Sequence, residues 1–244
     1  MSAIDFRAVP RGQTLPGVNY AVLGLLQSRF KAEETFSLLD IPCGRGEFAL
    51  AVKRLFPSSR ITCADLHGTA LGRDVGFVSM DAAKPFPFSA DEQFDAITSI
   101  SGVMEFDNTA GFIAECVKRL KRSGCIIITN DSAFTVRDRL SYLFLGRVRR
   151  FKLLMEAHAR TYRYVPVQEL LKIFLEQELT LERVDYVSFR DEDLLFLPLA
   201  LILYPLQWLY LLTLDSPVDR TMRAQLFPLR ALLCRHYIIV GKKE

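Results

Sequence analysis

A chain of 244 residues, half of them hydrophobic and 24% charged, is long enough to bury one large core and excludes a disordered or fibrous protein. The net charge of +3 excludes a global electrostatic case for nucleic-acid binding. Five cysteines, at 43, 63, 116, 125 and 234, form no CxxC pair and are expected as reduced core residues of a cytoplasmic protein.

Residues 1–16 are polar and broken by Pro10, Gly12 and Pro16, which predicts a loose arm. Its first residues lack the basic-then-apolar order of a signal peptide, so none is expected. Val22, Leu25, Leu26 and Phe30 recur at helical spacing and predict a helix over 19–31. Phe36 to Ile41 reads as a buried strand that enters a turn with glycines at 44 and 46, followed by a helix from Glu47 to Phe56. Strands are predicted at 60–65 and 76–81, and Pro85-Phe-Pro-Phe88 cannot continue a regular element. A fourth strand is predicted over 94–100, then a helix over 109–121 capped by Ser123-Gly124, then a fifth strand over 125–129. This alternation of strand and helix predicts a doubly wound α/β domain: a parallel sheet with helices on both faces, occupying the whole chain.

Downstream the pattern is less regular. Residues 131–157 are helical in composition and crowd Arg137, Arg139, Arg147, Arg149, Arg150 and Lys152 against Asp138. A clear amphipathic helix is predicted over 166–178, a sixth strand over 179–189 and a seventh over 236–240. Between the last two strands, Leu194 to Leu214 carries no charge over about 21 positions, enough by count to span a membrane. A single crossing is incompatible with both flanking strands lying in one sheet, and Pro198 and Pro205 interrupt a straight helix. Two readings remain for this insert: a re-entrant or interfacial hairpin with Tyr204, Trp208 and Tyr210 at the headgroups, or a hydrophobic lid or dimer face. On the first reading, Arg220, Arg223, Arg230 and Arg235 join the 137–152 cluster against anionic headgroups.

The glycine turn is the place for a ligand. Gly44 and Gly46 permit positive φ and a close approach to the main chain, and the turn stands between a strand and a helix. Three carboxylates collect at strand ends: Asp40, Asp65 and Asp81. In open α/β sheets ligands sit outside the carboxyl ends of the strands. Asp65 suits two ribose hydroxyls. Gly44-Arg-Gly46-Glu-Phe-Ala49 also satisfies the relaxed dinucleotide fingerprint, so a nicotinamide-dependent oxidoreductase stays open. Against it, an acid four residues before the first glycine suits an ammonium and is poorly placed beside a pyrophosphate.

The sequence resembles the class I S-adenosylmethionine-dependent methyltransferases. The likeness rests on Leu39-Asp-Ile-Pro-Cys-Gly-Arg-Gly46, Ala64-Asp65, Met80-Asp81, Pro85-Phe-Pro-Phe88 before Phe94-Asp95, Gly102-Val-Met-Glu105, Leu120-Lys-Arg-Ser-Gly124 and the last strand. It implies S-adenosyl-L-methionine as cofactor. Asp40, Pro42, Gly44 and Gly46 would hold its methionine part, Asp65 and Leu66 the ribose, Asp81 with Ala82 the adenine, and Ser101 and Gly102 would adjoin the transferred methyl. It also implies a seven-stranded sheet whose last strand runs antiparallel between strands five and six. Within the superfamily, Gly102 to Leu145 is most similar to type 11-like enzymes acting on sugar, polysaccharide or lipid precursors. Those often carry Glu-His where this chain has Glu105-Phe106, and Thr-Pro-Asn where it has Thr129-Asn130-Asp131.

Candidate bases are His158, Tyr162 and Glu105, with Tyr164 behind them. His158 and the tyrosines precede helix 166–178, where the resemblance puts the acceptor pocket. His67 is read as a neighbour of the ribose, His236 as strand packing, Cys43 as packing under the loop and Asp95 as a cap at the entry to strand four. No metal constellation is visible. The function expected is O-methylation of a hydrophobic or lipid-linked acceptor by a cytoplasmic enzyme touching a membrane through 194–214, with the pocket built from 131–164 and the insert. A non-catalytic scaffold that keeps the fold is the remaining alternative.

Overall fold

The structure is a computed structural model that describes residues 9–68, 72, 74–149, 154, 162–214, 218 and 220–244. Seven strands make one sheet: β1 (Ser37–Asp40), β2 (Arg60–Asp65), β3 (Gly76–Ser79), β4 (Phe94–Ile100), β5 (Leu120–Asp131), β6 (Leu179–Val187) and β7 (His236–Lys243). Their order is β3-β2-β1-β4-β5-β7-β6. The first five run parallel, and β7 is antiparallel to both β5 and β6. Runs such as Ile126-Ile-Ile128 and Ile238-Ile-Val240 are apolar on both faces because helices cover both.

On one face lie α1 (Val18–Arg29) and α2 (Glu47–Leu55), whose Val22, Leu26, Phe48 and Val52 pack with Leu38, Ile61 and Ile127. On the other, α3 (Thr109–Arg119) and α5 (Val167–Glu176) pack Phe112, Cys116, Leu170 and Phe174 with Leu39, Ile97 and Ile239. Each fully buried side chain of this kind contributes roughly 1.5–3 kcal/mol, so the sheet is fixed from both sides. What this rigidity positions is the row of strand ends at β1, β2 and β4.

Three expectations are corrected. Ser123-Gly124 does not cap α3, which ends at Arg119; β5 begins at Leu120, pairs with Phe94, and bulges before Cys125 pairs with Ala96. Ser123 sits at φ 62 within that bulge. Of the arm expected over 1–16, residues 1–8 lie outside the described residues and 9–16 are not loose: Asn19 Nδ2 donates to the carbonyls of Pro10 (2.8 Å) and Arg11 (3.3 Å), and Arg11 Nε to that of Thr14 (2.9 Å). The prolines do not break the insert either. α6 (Leu197–Thr213) is one helix, with Pro198 in its first turn, where no donor is needed, and Pro205 removing a single donor from the ladder.

The insert packs on α4 (Val136–Leu145). Leu197, Ala200, Leu203 and Tyr204 meet Val136, Leu140, Leu232 and Leu233, and Arg139 Nη2 donates to Gln207 Oε1 at 3.0 Å. The opposite side of α6 carries Leu201, Ile202, Leu206, Trp208, Leu209, Tyr210 and Leu212, all more than half exposed. Tyr142, Leu143, Phe144 and Leu145 at the end of α4 are similarly bare.

Candidate active site

The carboxyl ends of β1, β2 and β4 open into a cavity of about 730 Å³, a size typical of small-molecule sites. Asp40, Pro42, Gly44, Asp65, Leu66, Asp81, Ala82, Ser101, Glu105 and Tyr162 line it, and so do Cys43 and His67. Gly46 is not among the lining residues: at φ 71 it turns the chain into α2 while Gly44, at φ 55, faces the cavity.

Asp40 ends β1 and is 1% exposed. Thr98 Oγ1 donates to it at 2.8 Å. Burial pushes its carboxyl up to about 7, the Thr98 bond opposes this, and the nearby Asp65 carboxylate adds to it. A cation arriving in the cavity would relieve both the burial and the like charge. Asp65 ends β2, where its Oδ2 accepts the Gly44 N–H at 2.8 Å and its Oδ1 the His67 N–H at 3.0 Å, which ties the glycine turn to the second strand. Met80 N–H donates to Asp65 O, and this carries the chain past β3 to Asp81 beside the cavity. Asp81 Oδ1 accepts from Ala83 N at 3.0 Å. Two acids flanking the glycine turn suit a ligand with an ammonium and a diol, and repel a pyrophosphate. The donor set therefore fits S-adenosylmethionine.

A Cβ at Gly102 would stand 2.2 Å from Pro42 Cδ, so only glycine lets the β4 end approach the turn. Cys43 is half-buried at the turn, its Sγ donating to Gly44 O at 3.8 Å. It hydrogen-bonds Cys63, whose thiol that bond and then burial hold far above its ordinary range. Asp95 lies at the other end of the sheet, where its Oδ2 accepts from Ser37 N, Ser37 Oγ and Lys121 Nζ, a structural tie.

Of the base candidates, Glu105, in a short 3-10 turn over Val103–Glu105, and Tyr162 reach the cavity from one side. His158 lies outside the described residues. Tyr164 does not line the cavity, and burial, then Asp138, raises its hydroxyl. The insert was expected in the acceptor pocket, yet none of the lining residues comes from α6, because its inner face is taken by α4. Among the described residues no His, Cys, Asp and Glu cluster suits a metal.

Sequence reasoning missed two contributions. Gly12, Gln13 and Thr14 form part of the cavity wall, and their signal, a polar stretch with proline and glycine, is the same as that of a loose arm. His236 is buried in β7 as packing would require, but it also hydrogen-bonds Asp131 and Thr129, 105 and 107 positions away.

Residues 39–128 match the family model described as a methyltransferase domain. Demethylmenaquinone methyltransferase from Thermotoga maritima is 27% identical over 187 residues, 70% of this chain and 78% of that one. Among solved structures, the [4+2]-cyclase SpnF superposes with a TM-score of 0.57 at 19% identity, covering 98% of this chain and 84% of its own. A geranyl diphosphate methyltransferase in complex with GPP and sinefungin gives 0.56 at 14% identity, covering 92% and 78%. These likenesses show the fold.

Proposed function

We propose that this chain is a class I S-adenosylmethionine-dependent methyltransferase, a reading supported by the match of residues 39–128 to a methyltransferase domain, and that its acceptor is a hydrophobic or lipid-linked small molecule, methylated on oxygen at a membrane surface. S-adenosylmethionine is the cofactor, and when bound it supplies an electrophilic methyl group on a sulfonium. The chain's own residues bind and orient. Asp40 with the Gly44 turn receives the ammonium, Asp65 with Leu66 the ribose, and Asp81 with Ala82 the adenine edge. Ser101 stands where β4 ends, and Glu105 and Tyr162 face the incoming acceptor, with His158 the third candidate base. Methyl transfer is an in-line displacement, so alignment of the acceptor oxygen does most of the work.

The observation that carries the acceptor class is the bare side of α6. Within Asp191–Thr213 an 18-residue stretch has a mean hydropathy of 1.8, and only 6% of that stretch is buried. Soluble monomers rarely leave an apolar patch of this kind uncovered. A helix that lies on the membrane surface rather than crossing is supported by the chain that follows it: Arg223 Nη1 donates to Leu214 O at 2.8 Å, and helix α7 (Arg220–Leu226) is held to β6 by Tyr186 Oη on Leu226 O. The chain leaving the C-terminal end of α6 is thereby tied back to β6. The acceptors in two of the similar proteins' names, demethylmenaquinone and geranyl diphosphate, are in keeping with an apolar substrate.

The test is incubation with methyl-labelled S-adenosylmethionine and either membrane or soluble extract. Label in the organic phase of the membrane extract, lost on base hydrolysis or identified as a methyl ether by mass spectrometry, supports the reading. Label confined to water-soluble products overturns the lipid acceptor, and label on nitrogen overturns the oxygen assignment.

A further inference from the structure

A buried chain of polar groups runs from the cavity wall into the sheet. β5 and β7 pair so that Asp131 lies opposite His236. His236 is fully buried; its Nδ1 is 3.0 Å from Asp131 Oδ1 and its Nε2 3.0 Å from Thr129 Oγ1. The same Nε2 is 3.5 Å from Ser101 Oγ, and Ser101 Oγ is 2.7 Å from Thr14 Oγ1. Thr14 and Ser101 line the cavity.

The bond directions follow from the chemistry of the partners. A carboxylate only accepts, so Nδ1 carries the hydrogen toward Asp131 and Nε2 is left with its lone pair toward the two hydroxyls. Thr129 Oγ1 already accepts from Ser101 N at 3.2 Å. Nε2 offers a single lone pair, at which Thr129 Oγ1 (3.0 Å) and Ser101 Oγ (3.5 Å) are alternative donors, so Ser101 reaches it when the Thr129 hydroxyl turns away. Strand packing alone does not call for this arrangement, since a pair of apolar residues at one ladder position would avoid the desolvation of an imidazole and a carboxylate. Ser101 adds a second observation. It holds φ 57, a left-handed conformation that a non-glycine residue adopts only under strain, and its N–H is pinned by the Thr129 carbonyl at 3.0 Å. The strained turn directs one hydroxyl both to the cavity and to the imidazole.

We propose that Ser101, His236 and Asp131 form a proton relay that deprotonates the acceptor hydroxyl. This rests on the O-methylation reading above. The acceptor O–H bond breaks as its proton passes to Ser101 Oγ, while the Ser101 proton passes to His236 Nε2. The imidazolium so formed is held by Asp131. One proton leaves the acceptor and one arrives on His236; loss of methyl from the sulfonium leaves a neutral thioether, so charge is conserved. Ser101 is the catalytic residue, because it touches the acceptor; His236 receives the proton through it, and Asp131 is a positioning residue that fixes the tautomer.

Two readouts test this on the full-length protein. The first needs no acceptor: 15N-resolved imidazole NMR with S-adenosylhomocysteine as the probe, in a protein with only three histidines. His236 should show the Nδ1–H tautomer, reversed or broken in Asp131→Asn; an Nε2–H tautomer in the unaltered protein overturns the relay. The second is turnover of methyl-labelled S-adenosylmethionine on membrane-lipid extract. Ser101→Gly suits the backbone at φ 57, so it should melt no lower than the parent while kcat falls 10- to 1000-fold and the KM for cofactor stays within about threefold. His236→Gln should behave likewise in kcat. If methyl ethers form and Ser101→Gly keeps full kcat, the relay is overturned and the O-methylation reading stands. If the label is on nitrogen, both fall.

Discussion

At Asp40, burial and ligand binding act against each other. Its carboxyl is raised from 3.8 to about 7, first by burial, with the Thr98 bond opposing and Asp65 reinforcing. A carboxyl raised in the folded state favours folding when protonated, so its contribution is complete below pH 3.8 and is lost as pH climbs through about 7. The full loss is at most about 4 kcal/mol. Asp40→Asn keeps an acceptor for Thr98 and removes the charge. Scanning calorimetry should show the variant melting above the parent at pH 8, with the gap closing by about pH 4; a variant that melts lower at pH 8 contradicts the raised carboxyl. S-adenosylhomocysteine affinity should move the other way, dropping on the order of 10- to 100-fold for one lost charge-assisted contact. Cofactor binding also has a protonic signature. An ammonium beside Asp40 lowers its pKa, so titration calorimetry in two buffers at pH 6 should find nearly one proton released per site, falling to none at pH 8.5. Equal proton counts at both pH values would remove Asp40 from the ammonium site.

The β5 bulge shows how far an element can be read from its residues. Ser-Gly after an apolar helix has the composition of a C-cap, and only the partner strand reveals otherwise: Leu120 pairs with Phe94, and Lys121 Nζ reaches back 2.8 Å to Asp95. A Cβ on Gly124 would lie 2.8 Å from Lys121 O and 3.2 Å from Asp95 O, both backbone atoms. Gly124→Ala should therefore destabilise by about 1–3 kcal/mol, visible as a melting point several degrees lower, while S-adenosylhomocysteine affinity is unchanged because the bulge is at the far end of the sheet from the cavity. Reduced affinity in a protein that still melts normally would reverse this. The same distinction runs through the site. Gly44, Asp40 and Asp65 were legible because local geometry demands them: positive φ at the turn, acids at strand ends. Thr14 and His236 were not, because their roles come from contacts 87 and 105 positions away that no periodicity encodes.

For the whole molecule, the question is what drives the bare side of α6 to a surface. Arginines near it were expected to meet anionic headgroups, but most already have partners within the chain. Arg137 pairs with Glu192 at 2.7 Å, Arg149 with Asp138 at 3.1 Å, Arg230 with Asp185 at 2.6 Å and Arg235 with Asp193 at 2.6 Å. Arg235 is itself buried. Arg150 and Lys152 of the same cluster lie outside the described residues. What α6 offers instead is area: seven large apolar side chains, each worth roughly 1.5–3 kcal/mol if fully buried. Binding through apolar area is insensitive to salt, whereas headgroup attraction is screened within about 10 Å at 0.1 M. The protein should therefore float with phosphatidylcholine vesicles almost as well as with vesicles containing phosphatidylserine, and should stay bound in 0.5 M salt. Removing two anchors with Trp208→Ser and Ile202→Ser should lower the bound fraction at least tenfold and leave the melting point unchanged, since both side chains face away from α4. A protein that ignores vesicles and sediments as a dimer disrupted by the same two substitutions would instead make this face an interface between copies of the chain.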